Sequence, residues 1–479
     1  DKKAFVVITA GPGVTNIVTA IGGAYLESRE LLILGGQVKS SDLATGGLRQ
    51  RGIQEICGIN IVEDICKTTE QVTAPIPRAD FEALVESGYT GRPGPVFIEM
   101  CLDAQGAPVD PEALEGGTRP VLDPPSDRQV SGEEAAAAIA EAIEGSERPI
   151  VLIGGGVSRE TADAVRPALR EMGIPLQTTW NGADRLGVDE PLYVGRPNTW
   201  GQRGANLVLA QSDCIVALGS RLGLQQTGFN WQEFAPVGRV VQVDIDPAEL
   251  DKGHPVVDVP LVADANDTLR ALSTYRFGDY SEWLAFAREV AALPLNDPSN
   301  ETAPGYISPY SFVDDLSGIC TANDVVIPCS SGGANSVMMQ ALLQKEGQVV
   351  ITDKGLASMG YGLSGAIGAS LRYLSSVAIT RAFGFQDFPV AVLTVNVVGS
   401  FIMGVFVVMA AQKGLTHWNP FVATGILGGF TTFSSFSLEA VTLIERGQIA
   451  QAGLYVALSV GLSIAGLMVG LMLARGVLT

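Results

Sequence analysis

Short runs of β-branched and aliphatic residues alternate with longer segments of helical periodicity over most of the 479-residue chain. Eight such runs predict strands, at 4–10, 30–36, 95–100, 149–156, 214–220, 239–246, 324–330 and 348–355. Segments between them, such as 159–173, repeat apolar residues at helical spacing and end at a glycine. This alternation is typical of parallel sheets covered by helices.

Segments rich in proline, glycine and aspartate predict linkers at 103–130 and 294–309. The sequence therefore predicts a multidomain chain with three α/β units, at 1–102, 131–275 and 308–370. Asp1 stands directly before the first predicted strand, so we expect the chain to begin inside a domain and without a signal peptide.

The pattern changes near residue 360. Three runs carry no charge, 388–412, 418–438 and 448–474, with 25, 21 and 27 residues. About 20 residues of helix cross a hydrocarbon core. A fourth, weaker run at 354–380 is interrupted by Arg372. The α/β units are thus followed by a predicted all-α domain of four transmembrane helices at 360–475; a buried bundle of a soluble domain is the alternative, but rarely holds three such runs.

Charge divides the chain at the same place. The net charge is −20, but the residues from Leu371 onward hold only five basic and three acidic side chains, so residues 1–370 carry −22. The acidic balance and the absence of clustered Lys and Arg exclude an electrostatic nucleic-acid binder.

The cysteines and histidines do not predict a catalytic or metal site. No CxxC pair and no histidine at ligand spacing accompanies the cysteines, which are Cys57, Cys66, Cys101, Cys214, Cys320 and Cys329. We expect reduced core residues of a cytosolic domain rather than disulfides or zinc ligands. His254 and His417 stand in no recognisable nucleophile arrangement.

Several strings of the α/β part occur together in a fixed order. They are GPGVTN (11–16), GQV (36–38), GIQEI (52–56), GRPGPVFIEM (91–100), VDIDPAEL (243–250) and GLASMGYGLSGAIGA (355–369). In this order, residues 1–370 resemble thiamine-diphosphate-dependent enzymes of the acetohydroxyacid synthase branch. The resemblance implies part of a pyrimidine-binding domain at 1–102, a central domain at 131–275 and the start of a diphosphate-binding domain at 308–370. It places Gln54 beside the cofactor, Met359 as the residue that bends it, and Gly360 directly after.

The sequence also departs from that family. The glutamate that activates thiamine diphosphate belongs to a segment before Asp1, and the GDG turn and asparagine that hold Mg²⁺ do not occur after Ala369. We therefore expect no decarboxylation or carboligation by this polypeptide. The glycines at 154–156 with Asp246 could cradle a nucleotide, but a lone glycine turn favours a structural turn.

The predicted membrane part contains NVVGSFIMG (396–404), TGILGGFTTFSSFSLE (424–439) and LYVALSVGLSIAG (454–466). Adjacent glycines and hydroxyl residues in GGFTTFSSF (428–436) predict a break in the third span, which membranes tolerate only where the freed backbone groups line a site. Ser459 and Ser463 follow Tyr455 at intervals of four, which places three hydroxyls on one helical face.

These strings resemble the Fluc (CrcB) fluoride channels over residues 360–475. The resemblance assigns the pore to Asn396, Thr432, Phe433, Phe436, Tyr455, Ser459 and Ser463. It implies a structural Na⁺ held by the backbone carbonyls of Gly428 and Thr431, and Arg372 as the basic residue of the first helix. It also implies antiparallel homodimers.

Basic residues fall one to each flank or loop of the spans, at Lys354, Arg381, Lys413, Arg446 and Arg475, so they predict no preferred orientation. We expect a multi-pass protein of the inner membrane with a cytoplasmic acidic block, and with fluoride and the lipid bilayer as partners. Antiparallel pairing would place the acidic block on opposite membrane faces in the two subunits, which conflicts with a block on the cytoplasmic side.

Three hypotheses remain open. The chain is a fluoride channel that carries a catalytically incomplete enzyme module, or a thiamine-diphosphate-dependent acetolactate synthase-like enzyme of 2-oxo acids with a passenger tail, or an accidental join of two coding segments. Both families read G-x-x-G-A-x-G-A at the junction. Channel chemistry has the only complete site, which favours the first.

Overall fold

The computed structural model describes residues 5–115, 126–296, 302–328, 332–356, 371–381 apart from 373, 376 and 380, 388–415, 420–432, 436, 439–443 and 446–478. The chain divides into two compact units. Residues 1–326 and 333–357 form one, here called the α/β unit, and residues 327–332 and 358–479 form the other, the helical unit.

The first sheet section, residues 5–106, contains a four-stranded sheet. Its strands are β1 (Phe5–Ile8), β2 (Leu31–Gln37), β3 (Thr68–Val72) and β4 (Pro95–Cys101), parallel and in the order β1-β2-β4-β3. Helices cover it at Pro12–Leu26, Gly58–Val62, Arg78–Ser87 and Leu102–Gly106, and a further turn follows at Pro111–Leu114. Strand β4 is buried at six of its seven residues because helices cover both faces.

The central section, residues 130–292, contains a five-stranded parallel sheet. Its strands are β5 (Pro149–Ile153), β6 (Leu176–Thr178), β7 (Cys214–Leu218), β8 (Arg239–Asp244) and β9 (Val259–Val262), in the order β6-β5-β7-β8-β9. The helices are Gly132–Glu144, Arg159–Met172, Arg203–Gln211, Leu224–Thr227, Pro247–Asp251, Ala265–Leu272 and Ser281–Ala291. A Ser131–Glu134 capping box begins the first of them.

The third section, residues 309–356, packs against the central one. Strands β10 (Val325–Val326) and β11 (Val349–Val350) pair in parallel, flanked by the helices Pro309–Ile319 and Gly332–Ala341. One buried cluster joins Val326, Val350 and Met339 to Trp180 of the central section. Asp184, which is buried, accepts hydrogen bonds from the Val350 N–H (2.9 Å) and Arg159 Nε (2.7 Å). The central and third sections therefore share a core.

All eight predicted strands lie at strand positions, but β10 and β11 keep only two residues each. Pro328 has no N–H for a ladder, and Thr352 and Asp353 are polar, so neither strand extends. Strands β3 and β6 escaped prediction because TTEQV and LQT lack a continuous apolar run. Strand β9 escaped it because VPLV is short and contains Pro260, which argues against a strand.

Two long helices, Val390–Gln412 and Ile449–Leu478, form the frame of the helical unit. Both are long and apolar enough to cross a membrane, with mean hydropathy 2.3. Between them lie a π-type helix at Pro420–Leu427 and one turn of α-helix at Gly428–Phe430. Described residues of 371–381 are also helical.

The two long helices approach each other closely at glycines. A Cβ at Gly470 would collide with the Phe401 carbonyl oxygen, and one at Gly404 would collide with the Leu467 carbonyl oxygen. Small residues allow such approach between helices in a membrane.

Replacing Gly470 with alanine should therefore force these helices apart and destabilise the helical unit by about 1–3 kcal/mol, the usual cost of overpacking. Gly461 lies on the same helix and a Cβ there would meet no atom within 4 Å, so Gly461→Ala is the matched control. Thermal unfolding followed by helical circular dichroism in detergent measures the difference. Equal midpoints for the two variants would refute close packing at Gly470.

Asp244 ends strand β8 in a buried position, 8 % exposed. Burial raises the pKa of its carboxyl from 3.8 to about 6, although the carboxylate accepts the Asp246 N–H (3.0 Å). Because the folded pKa lies above the unfolded one, stability falls as the pH rises from about 4 to about 6, and the loss above pH 6 reaches about 3 kcal/mol.

Asp244→Asn should therefore stabilise the α/β unit at pH 8 and have little effect near pH 4, because asparagine keeps the acceptor without the charge. Denaturant midpoints at both pH values measure the effect. The exposed Asp267→Asn serves as control. A gain independent of pH would contradict the assignment.

Candidate functional site

The helical unit contains a break in its backbone at Thr431. The helical turn Gly428–Phe430 ends there with Thr431 in an extended conformation (ψ 156°), and described residues are helical again at Phe436 and at 439–443. The Thr431 N–H and its Oγ1 both donate to the Leu427 carbonyl, each at 2.9 Å. The break expected from GGFTTFSSF is therefore present.

Asn396 holds this break from the neighbouring helix. Its Nδ2 donates to the Thr432 carbonyl (3.0 Å), and its Oδ1 accepts the Thr432 N–H (2.7 Å). In a continuous helix that N–H would donate to the Gly428 carbonyl, four residues earlier. We call these two hydrogen bonds the Asn396 clamp. A side-chain amide has two N–H donors, and the clamp uses only one of them.

An aromatic cluster lies beside the predicted hydroxyl row. Tyr455 is fully buried, with the Phe436 ring 5.4 Å away and the Phe388 ring edge-on at 5.6 Å. The Tyr455 hydroxyl donates to Glu439 Oε2 at 2.6 Å. Ser459, one turn later, is 4 % exposed, and Ser463 is half-buried.

The structure brings four of the predicted pore residues that it describes into two contacting pairs. Thr432 meets Asn396, and Phe436 meets Tyr455. Phe433 lies outside the described residues, and Arg372 is half-buried in a helical segment.

Two residues of this cluster were not assigned a role from the sequence, Glu439 and Phe388. An acidic residue at the end of an apolar span is costly and so is itself a signal of function, which could have singled out Glu439. A phenylalanine at the start of a hydrophobic run gives no such signal.

In the α/β unit, the GPG turn meets the segment that contains Gln54. Gly11 has φ +64°, and a Cβ there would collide with the Gln54 carbonyl. Gln54 is exposed and itself has φ +58°, so it occupies a turn rather than a surface helix. The two motifs quoted at 11–16 and 52–56 are therefore neighbours.

Glu55 fixes that turn. Its buried carboxylate accepts the N–H groups of Arg51 (2.7 Å), Ala44 (2.7 Å) and Gly52 (3.2 Å). These bonds hold the pKa of Glu55 below its ordinary value. Nearby, burial raises the pKa of Glu99, to which Gln71 Nε2 donates at 2.8 Å.

The glycines at 154–156 are used for packing. The Gly156 N–H donates to the Gly219 carbonyl (2.9 Å), and a Cβ at Gly154 would collide with the same oxygen. A structural turn requires this close backbone approach.

The structure describes only some of the residues predicted to bind the cofactor. Met359 and Gly360 lie outside the described residues. Within the described ranges, no three His, Cys, Asp or Glu side chains are placed to hold a metal ion. Of the three predicted cofactor residues, the structure therefore describes only Gln54, in its turn.

Three family descriptions match separate parts of the chain. Residues 1–60 match the N-terminal TPP binding domain of thiamine pyrophosphate enzymes, and residues 136–272 match their central domain. Residues 359–471 match the CrcB-like protein family, Camphor Resistance (CrcB).

Individual relatives divide in the same way. A probable acetolactate synthase large subunit of Methanocaldococcus jannaschii is 32% identical over 393 residues, covering 79% of this chain and 65% of that protein. The fluoride-specific ion channel FluC of Ruegeria sp. is 65% identical over 121 residues, 25% of this chain and 96% of that protein. FluC of Jannaschia sp. is 76% identical over 101 residues, 20% of this chain and 96% of that protein.

The chain spans 65% of the length of that archaeal synthase and 57% of the acetolactate synthase large subunit of Corynebacterium glutamicum. It spans nearly the whole length of the FluC relatives. Through residues 359–471 the chain belongs to the CrcB/FluC family, and in the same polypeptide it carries the N-terminal and central domains of a thiamine pyrophosphate enzyme.

Proposed function

We propose that the helical unit conducts fluoride selectively across the membrane and exports it from the cell. The observation that carries the proposal is the clamped break, in which the Asn396 side chain makes two hydrogen bonds to the Thr432 backbone. The same helical unit holds the buried contact between Phe436 and Tyr455. The identity to FluC relatives supports the same assignment.

The chemistry of the cluster suits a small, strongly hydrated anion. Fluoride gives up its water only where donors replace it. The second N–H of Asn396, the hydroxyls of Thr432, Ser459 and Ser463, and the positive ring edges of Phe433 and Phe436 would provide those donors. Tyr455 donates its one hydroxyl proton to Glu439 and would line the pore through its ring.

A structural Na⁺ belongs to the proposal. The carbonyls of Gly428 and Thr431 would hold it, because the Thr432 N–H that a continuous helix sends to Gly428 is engaged by Asn396. The cation would offset the charge of the anion in a medium of low dielectric constant. Replacing Na⁺ with a large organic cation during purification should then lower both thermal stability and fluoride flux.

The proposed working form is a homodimer in the inner membrane with the acidic α/β unit on the cytoplasmic side. Chemical crosslinking in detergent measures the dimer, and protease protection in vesicles measures the orientation.

Fluoride efflux from liposomes tests the proposed function. Liposomes that hold the full chain and are loaded with potassium fluoride should release fluoride when valinomycin is added, as measured with an ion-selective electrode. The same vesicles loaded with potassium chloride should retain chloride. Equal release of both anions would contradict a selective channel, and release of neither would contradict a channel.

The second candidate is an acetolactate synthase-like reaction on 2-oxo acids by the α/β unit, with thiamine diphosphate and Mg²⁺. Similarity to the synthases favours it. Against it, residues 1–479 contain no GDG sequence. Calorimetric titration with thiamine diphosphate and Mg²⁺ separates the readings, because micromolar binding would favour the enzyme and no heat of binding would favour an incomplete module.

A further inference from the structure

The three sections of the α/β unit are joined unequally. The central and third sections share a buried cluster through Trp180, Ala183, Val313, Met339 and Val350. No hydrophobic cluster found among the described residues contains members of both the first and the central section. The first section therefore has a separate core.

One set of polar contacts between the first section and the rest is centred on Arg92. One terminal nitrogen of its guanidinium donates to Asp246 Oδ2 (2.8 Å) and Glu249 Oε1 (2.9 Å), both in the central section. The Arg92 side chain is 28% exposed and the Glu249 side chain 16%. Hydrogen bonds between charged groups in this half-buried setting are stronger than surface pairs.

A second polar contact lies at Glu27, the residue that caps the helix Pro12–Leu26. Its carboxylate accepts the side-chain N–H of Asn181 in the central section and the backbone N–H of Gly355 in the third. Leu356 lies against Gly22 of the same helix. One carboxylate thus ties all three sections.

The two contacts are coupled through neighbouring residues. Arg92 Nε donates to the hydroxyl of Ser28 (2.9 Å), which follows Glu27 directly. Lys67 Nζ holds the Arg92 carbonyl at 2.9 Å from within the first section. Loss of the Arg92 side chain therefore removes a contact that steadies the residue next to Glu27.

We propose that residues 5–106 form a hinged body held against the rest of the α/β unit by latches at Arg92 and Glu27. When the Arg92 contacts break, the Glu27 contacts break as well. Residues 5–106 then move away from the central and third sections while their own sheet stays intact. Separate cores permit the opening, because neither sheet loses its covering helices.

Hydrogen exchange with mass spectrometry on the full chain in detergent tests the hinge. Arg92→Gln should accelerate exchange about tenfold or more in peptides covering 26–30, 180–184, 244–252 and 352–356, since hydrogen bonds to charged groups contribute that much. Peptides covering β4 and β5 should keep their protection. Arg78→Gln, which removes an exposed pair inside one helix, is the control.

Two results would overturn the hinge. Unchanged exchange at 180–184 and 352–356 would show that the latches are not coupled, and faster exchange in β4 and β5 would show unfolding rather than opening.

Discussion

Replacing Asn396 with alanine should lower fluoride efflux from liposomes holding the full chain by about a hundredfold or more, given the loss of two buried hydrogen bonds. The alanine variant has no side-chain amide, so the Thr432 carbonyl loses its donor and the Thr432 N–H loses its acceptor. The donors beside it would then lose their positions.

Asn396→Asp separates the role of Asn396 as a hydrogen-bond acceptor from its role as a donor. Aspartate still accepts the Thr432 N–H, but it offers no donor to the Thr432 carbonyl or to an anion, and it adds a negative charge. We expect it to block flux as well, with the fold retained.

Thr394→Val is the control for both variants. Thr394 precedes Asn396 by two residues on the same helix, and its hydroxyl donates within that helix to the Val390 carbonyl (2.8 Å). Flux should stay within about twofold of wild type because no contact between helices is lost. Comparable flux for Asn396→Ala and Thr394→Val would contradict the role of the clamp.

Arg196→Met should lower the free energy of unfolding of the α/β unit by about 3–5 kcal/mol. The Arg196 side chain is among the largest fully buried ones, at 1 % exposed. It donates to the carbonyls of Met339 (2.8 Å) and Leu342 (2.7 Å) and to Gln344 Oε1. Methionine fills a similar volume but leaves these acceptors without donors.

A positive charge at this place also suits the negative end of the helix Gly332–Ala341. Urea unfolding followed by tryptophan fluorescence measures the loss. Arg78→Met, at an exposed pair, should change stability by less than about 0.5 kcal/mol. A loss below about 1 kcal/mol for Arg196→Met would contradict an anchoring role.

Much of the fold could be predicted from periodicity. Strands such as PIVLI and CIVAL could be predicted as strands because helices cover both faces of a parallel sheet, so its strands are continuous apolar runs. The break at Thr431 could be predicted because adjacent glycines and four hydroxyl residues within one span invite a break in the helix.

Other features depend on contacts between distant residues. Arg196 stands in an ordinary polar loop, and nothing local indicates that it enters the core near Met339, 143 residues away. The Asn396 clamp likewise joins residues 36 positions apart. Family resemblance marked Asn396, but its two bonds to the backbone N–H and carbonyl of Thr432 required the structure.

The junction between the two parts has a physical consequence for assembly. An acidic block ahead of the first span would have to lie on opposite membrane faces in an antiparallel dimer. Full activity of the fused chain would therefore require that both orientations insert, or that pairing is parallel.

Fluoride efflux from liposomes holding the full chain, measured beside liposomes holding residues 355–479, tests the channel assignment most directly. The similarity to the FluC relatives covers almost their whole length, so residues 355–479 are the part of the chain to compare with the full chain. We predict fluoride-selective efflux from both preparations, reduced by Asn396→Ala in each. No efflux from either preparation would contradict the account.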